Sequence, residues 1–154
     1  MTTITSTLTI KQIHSGDKQM ISDSGKDALK RELEKLDTPI SLKVFTSKVH
    51  CPACEDTITL CKTLTELSGK ISFEEISFDT QKELAAKYEV EKVPTIIIEG
   101  TGIRYTGIPA GGEFSAFVHT LVMVSTQTTE IGHLKEKLMG ITKPVVVRTV
   151  VTPT

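Results

Sequence analysis

The 154-residue sequence has no asparagine, almost no net charge, and no apolar run near the roughly 20 residues needed to span a bilayer. The missing asparagine, a thermolabile residue, is a weak pointer to a thermophilic source. With 18 Lys and Arg against 19 Asp and Glu, the formal charge is −1, which leaves no electrostatic footprint for nucleic acid or an anionic membrane. The N-terminus, MTTITSTLTIKQ, is polar and lacks a continuous apolar h-region, which argues against a secretory signal and for a cytoplasmic protein. Cysteine is scarce: three residues, an odd number, in a chain long enough to bury a core without covalent staples. Two of them, Cys51 and Cys54, stand close together, which points to redox or metal chemistry and away from a disulfide scaffold.

What is present reads as an ordinary globular domain with a short appendage: 38% hydrophobic and 24% charged residues exclude a wholly disordered chain. Residues 1–19 are rich in Thr and Ser and read as a poorly structured extension. Ser22 and Asp23 are good N-cap residues for a helix carrying Leu29, Leu33 and Leu36 at i, i+4, i+7, and Thr38-Pro39 ends it. Residues 40–45 read as a strand. A helix follows from Pro52, suited to a first helical position, to about Leu67, with a stripe of Leu60, Leu64 and Leu67 and a stop at Gly69. Residues 71–78 alternate with one slip as a strand, 81–88 form a short helix, and 93–99 and 103–106 form a hairpin around Gly100-Thr101-Gly102. A helix over 113–124 closes the unit with Phe114, Phe117, Val118, Leu121 and Val122 on one face. The order βαβαββα, preceded by a helix, predicts an α/β fold with a mixed sheet: a parallel pair joined by a helix, then an antiparallel hairpin. Beyond it, 129–143 reads as a linker helix and 144–154 as an apolar strand. A lone strand of that kind must join a sheet, pair between two copies in a homodimer, or belong to a further domain.

Cys51-Pro52-Ala53-Cys54 falls where a strand hands over to a helix. There Cys51 meets unpaired backbone N–H groups and the positive end of the helix dipole, which stabilise a thiolate. Lys48 and His50 add positive charge, and Cys54, one turn on, can resolve a mixed disulfide. Half a zinc site looks the same, yet His14, His119 and His133 stand far apart and Cys61 is alone. The second signal is Val93-Pro94-Thr95. A proline in a β-branched run deletes a ladder donor unless it sits at an edge or follows a cis bond, and X–Pro bonds are cis in only about 5–6% of cases. By itself the tripeptide favours trans.

Together, a CxxC at a strand–helix junction and a Val-Pro-Thr some forty residues later resemble the thioredoxin and glutaredoxin family. The segment IRYTGIPAGGEF at 103–114 and the start Met20-Ile21-Ser22-Asp23 narrow the resemblance to the protein disulfide oxidoreductases, glutaredoxin-like proteins of two fused thioredoxin units. The resemblance implies a thioredoxin-like unit over 20–128, followed by one strand of a second unit that stops before its own CxxC, and hence reduced activity. It implies thiol–disulfide exchange in which Cys51 attacks and Cys54 resolves, while Val93, a cis Pro94, Pro52 and Ala53 shape the substrate groove. Protein disulfides and a thioredoxin- or glutaredoxin-type reductant are the partners it implies, with no bound cofactor. The buried acid that thioredoxins carry in the strand before the CxxC is missing from residues 42–46, and Glu55 beside Cys54 is expected to face solvent.

A different class of function is a soft-metal carrier: Val49-His50-Cys51-Pro52-Ala53-Cys54 also resembles the Cu(I)-binding loop of heavy-metal-associated domains, which have no Val-Pro-Thr. A redox-inactive interaction scaffold is a third. Cys61, two turns past Cys54, reads as a small buried hydrophobe and not a regulatory thiol. His119 and His133 have no partner ligands, the charges between Lys82 and Lys92 form a solvated face, and Gly111-Gly112 is a helix-entry turn.

Overall fold

The structure is a computed structural model that describes residues 21–151; the expected extension over 1–19 lies outside the described residues. Helix α1 (Asp23–Leu33) begins where Ser22 accepts a hydrogen bond from the Gly25 N–H at 3.2 Å, as its capping pattern predicts. Strand β1 (Ile40–Thr46) leads through the cysteine pair into α2 (Cys54–Leu67), then β2 (Ile71–Ser77) and the short α3 (Lys82–Lys87). The hairpin β3 (Thr95–Ile98) and β4 (Arg104–Thr106) precedes α4 (Gly112–Thr126). The sheet order is β2-β1-β3-β4, with β1–β2 parallel and the other pairs antiparallel. This is the expected mixed α/β sheet, flanked by helices.

Strand alternation sends side chains to two cores. Leu42 and Val44 of β1, Ile71 of β2 and Ile96 and Ile98 of β3 face the larger one. There they pack with Leu29 and Leu33 of α1, Leu60 and Leu64 of α2, and Phe114, Phe117 and Leu121 of α4. Phe45, Ile76 and Ile97 face the other, against Ala85 of α3 and Val90. The slip in the hydrophobic pattern of β2 now has a cause. Ile71 and Phe73 serve the first core and Ile76 the second, while pairing with β1 runs unbroken from Ile71 to Ser77. β3 is buried along its whole length because it is central and covered on both faces.

The link from α1 to β1 is pinned to the far end of α4. Thr38 N–H donates to Ser125 Oγ at 2.8 Å, Ser125 Oγ donates to the Thr38 carbonyl at 2.7 Å, and Thr38 Oγ1 donates to the Ser125 carbonyl at 2.8 Å. Two expectations differ from what is seen. Residues 129–143 hold a single 3₁₀ turn (Gly132–Leu134) and a five-residue helix, α5 (Lys135–Met139), rather than one linker helix. Residues 144–151 form no strand and pair with neither edge of the sheet, β2 or β4; Val146, Val147 and Val150 stand exposed. Among the described residues no helix is long and apolar enough to cross a membrane.

Candidate functional site

The C-terminal end of β1 and the beginning of β3 meet at one end of the sheet, because the two strands are antiparallel and Phe45 pairs with Thr95. Past that pair, Thr46 and Ser47 continue from β1 and Pro94 leads into β3. At the same end, β4 finishes at Thr106, the partner of Thr95, and the Gly107 N–H donates to the Pro94 carbonyl at 2.8 Å. The CxxC follows directly from β1, so the topology delivers the cysteines and Pro94 to one edge. Ligand sites of open α/β sheets gather at such strand ends.

Cys51 and Cys54 are joined in a disulfide, with Cα atoms 5.4 Å apart. Cys51 is half-buried, whereas Cys54 is 5% exposed and is the first residue of α2. The helix therefore starts two residues later than proline's preference for a first helical position predicts. Pro52 and Ala53 form a turn closed by Cys54 N–H to the Cys51 carbonyl at 3.2 Å, and the first full helical bond runs from Thr57 N–H to the Ala53 carbonyl at 3.0 Å. Pro52 is exposed and Ala53 half-buried at the mouth of the pair. The N-terminus of α2 still carries its unpaired donors and dipole, opposed in part by Glu55 and Asp56 in the first turn, both exposed. Lys48 and His50 are exposed, and His50 has φ 56°, a left-handed conformation that histidine adopts more readily than most residues and that turns the loop into the CxxC.

The Val93–Pro94 peptide is cis, as the paired motifs imply. Pro94 is buried and Val93 half-buried. Pro94 precedes the first residue of β3, so its missing N–H deletes no bond from the ladder. Thr95, buried, donates from Oγ1 to the Lys92 carbonyl at 2.7 Å and holds the turn before the proline. Sequence reasoning misses three further polar residues at this end. Ser47 donates its N–H to Cys54 Sγ at 3.4 Å, and Asp79, two residues past β2, accepts from Ser47 Oγ at 2.9 Å and from the Lys48 N–H at 3.1 Å. Thr46, where β1 lacks an acid, is buried and donates to Glu75 Oε1 at 2.7 Å. No pattern of spacing marks these residues, since Thr46 and Ser47 meet Glu75 and Asp79 only through the β1–β2 pairing.

The other candidates fall as read. Cys61 is fully buried in the larger core, and desolvation pushes its thiol up to about 12. His119 is exposed on α4, 3.4 Å from Glu130, and His133 is exposed in the 3₁₀ turn. Gly111 takes φ 59° at the entry of α4, which explains a glycine there without any ligand. Among the described residues no three or more His, Cys, Asp or Glu side chains cluster where they could hold a metal ion.

A profile of the thioredoxin domain matches residues 40–119, from β1 into α4 and across the whole site. The chain belongs to the thioredoxin domain family. Among solved structures, the protein disulfide oxidoreductase of Aeropyrum pernix K1 is 29% identical with a TM-score of 0.71; the alignment covers 77% of this chain and 54% of that one. This thioredoxin-family chain thus spans about half the length of that structure. The alkylhydroperoxide reductase AhpF of Enterococcus faecalis shares the fold at a TM-score of 0.69 and 23% identity, over 79% of this chain and 61% of that one. No curated protein sequence matches the chain.

Proposed function

We propose that this chain is a thiol–disulfide oxidoreductase unit that works through Cys51 and Cys54. The observation that carries the reading is the asymmetry of the closed pair: Cys51 is half-buried in the loop and Cys54 buried at a helix N-terminus, both following the β1 end that pairs with the start of β3. In the reducing direction, the Cys51 thiolate attacks a substrate disulfide and displaces one substrate thiolate, which takes up a proton. Cys54, deprotonated, then attacks Cys51 Sγ, releases the second substrate thiolate and closes the 51–54 bridge. Two electrons pass from the cysteine pair to the substrate, and an external dithiol or small thiol returns them. Burial of Cys54 protects the resolving sulfur from the incoming substrate, so attack is directed to Cys51.

Val93, Pro94, Pro52 and Ala53 are assigned to the substrate groove. Pro52 and Ala53 lie between the two cysteines in the chain, Val93 and Pro94 lead into β3, and the backbone of Val93, outside the ladder, is offered on this reading to an extended substrate segment. The partners on this reading are protein or small-molecule disulfides and a cytoplasmic thioredoxin- or glutaredoxin-type reductant; the disulfide oxidoreductase from A. pernix supports the class of reaction. A glutathione redox titration with alkylation and peptide mapping tests it. One reversible two-electron transition confined to Cys51 and Cys54 is expected, with Cys51→Ser inactive and Cys54→Ser accumulating mixed disulfides through Cys51. Full exchange activity in Cys51→Ser would overturn the assignment.

A further inference from the structure

The loop that enters the CxxC is held from the neighbouring strand. Asp79 reaches across from the end of β2 and accepts from the Lys48 N–H at 3.1 Å and from Ser47 Oγ at 2.9 Å; the Val49 N–H in turn donates to Ser47 Oγ at 3.0 Å. Two successive residues of the loop are thereby fixed against one carboxylate, and a third against the hydroxyl between them. The same Ser47 presents its backbone N–H to Cys54 Sγ at 3.4 Å. In the closed disulfide that contact is weak, because a bridged sulfur is a poor acceptor. When the bridge opens, the accepting atom becomes a thiolate and the bond becomes charge-assisted, about twice as strong as a neutral one.

We infer that Asp79 and Ser47 are positioning residues that aim the Ser47 N–H at Cys54 and so stabilise its thiolate as the leaving group when the 51–54 disulfide is reduced. The inference rests on the proposed redox function of the pair. In the step it concerns, a thiolate of the reductant attacks Cys51 Sγ, a new S–S bond forms there, and the Cys51–Cys54 bond breaks with its electron pair on Cys54. A second reductant thiolate then attacks the mixed disulfide and releases Cys51, so that two reductant thiols become one disulfide. The clamp favours the open state of the pair, which makes the protein a stronger oxidant.

The test is the 51–54 equilibrium against reduced and oxidised glutathione, together with the thiolate absorbance of the reduced protein as pH is raised, in wild type, Asp79→Ala, Asp79→Asn, Ser47→Ala and Ser47→Thr. Asp79→Ala and Ser47→Ala should each lower the equilibrium constant for reduction roughly tenfold, about 30 mV toward more negative potential, and raise the thiolate transition assigned to Cys54. Asp79→Asn keeps an acceptor at the same place without the charge, and Ser47→Thr keeps the hydroxyl; both should stay within about threefold of wild type. Ala variants that titrate at the wild-type potential overturn the inference. So does an Asp79→Asn that behaves like Asp79→Ala, because the charge and not the geometry would then be at work. A wild-type protein in which the pair does not titrate overturns the proposed function, and this inference with it.

Discussion

Cys61 supplies the sharpest check on how the three thiols are divided. It lies two turns along α2 from Cys54, fully buried among Leu60, Leu64 and their neighbours, and desolvation lifts its thiol from an ordinary 9.0 to about 12. At pH 8 an unperturbed thiol is about one-tenth thiolate, whereas one at about 12 is about 10⁻⁴ thiolate, a difference of roughly 10³ in the reactive species. Steric exclusion from the core slows attack further, since reagent reaches the sulfur only when the helix opens. The protein is reduced, held at pH 8 with iodoacetamide, quenched over time and mapped by peptide mass. Cys51 should label first, Cys54 more slowly, and Cys61 at less than a thousandth of the Cys51 rate until denaturant is added. If Cys61 labels within tenfold of Cys51 in native buffer, the packing of α2 described above is wrong and a third reactive thiol must enter the mechanism. Removing the sulfur should matter little: Cys61→Ala should cost about 0.5–1.5 kcal/mol, the range for a small deletion from a core, and leave the redox transition of the pair in place.

Two further predictions concern the scaffold. Ser125→Ala removes two of the three hydrogen bonds between the Thr38 turn and the end of α4, and Thr38 is partly accessible, so water replaces some of what is lost. A cost of about 1–2 kcal/mol follows, lowering Tm by roughly 2–8 °C in thermal denaturation, and an unchanged Tm would show that the clasp contributes nothing. Lys43, on β1, bridges Glu74 at 2.8 Å and Glu99 at 3.4 Å; the Glu74 bond chiefly raises its pKa above 10.5, while Glu99 is held below 4.5, first by its Ser41 bond and then by Lys43. The Lys43 contribution is therefore complete below pH 10.5 and lost as pH climbs through its raised value. The Glu99 contribution is complete above pH 4.5 and lost as pH falls through its lowered one. In urea denaturation the stability gap between wild type and Lys43→Met should be level at neutral pH and shrink toward pH 11 and pH 3; a gap at pH 11 equal to that at pH 7 would refute the bridge.

The elements of this fold were legible where one force acts alone. Ser22 caps α1 and the leucines at 29 and 33 turn inward because local capping and a single buried face agree. The slip in β2 was visible as a pattern and opaque in meaning, since a strand serving two cores looks like a broken one until its neighbours are known. Pro52 misled by one half-turn, because a preference for first helical positions takes no account of the tight Cys51–Cys54 turn that precedes α2. The terminal valines have strong β propensity, yet propensity does not supply a neighbouring strand. At the site, Cys51, Cys54 and Pro94 carried a readable signature, whereas Ser47 and Asp79 did not. Their meeting depends on the parallel register that brings the end of β2 alongside the end of β1.

The missing acid of β1 and the Ser47–Asp79 clamp bear on one another. A carboxylate buried beneath the pair would take the proton of the resolving thiol directly; β1 instead ends in Phe45 and Thr46, and the Thr46 hydroxyl is engaged by Glu75 on the neighbouring strand. On the proposed function, with no carboxylate in β1 to accept it, the Cys54 proton leaves to solvent or to the departing substrate thiolate, and stabilising the thiolate left behind favours that loss. The means at hand are the N-terminal field of α2 and the Ser47 N–H. An N–H acts on the thiolate without carrying a proton that titrates, so the pH profile of resolution should report the Cys54 thiol itself, with no second ionisation from an acid partner. Single-turnover rates of mixed-disulfide resolution across pH 5–9 should then rise through one transition. A second, acid-side transition would require a proton acceptor near Cys54 that this arrangement of β1 does not provide.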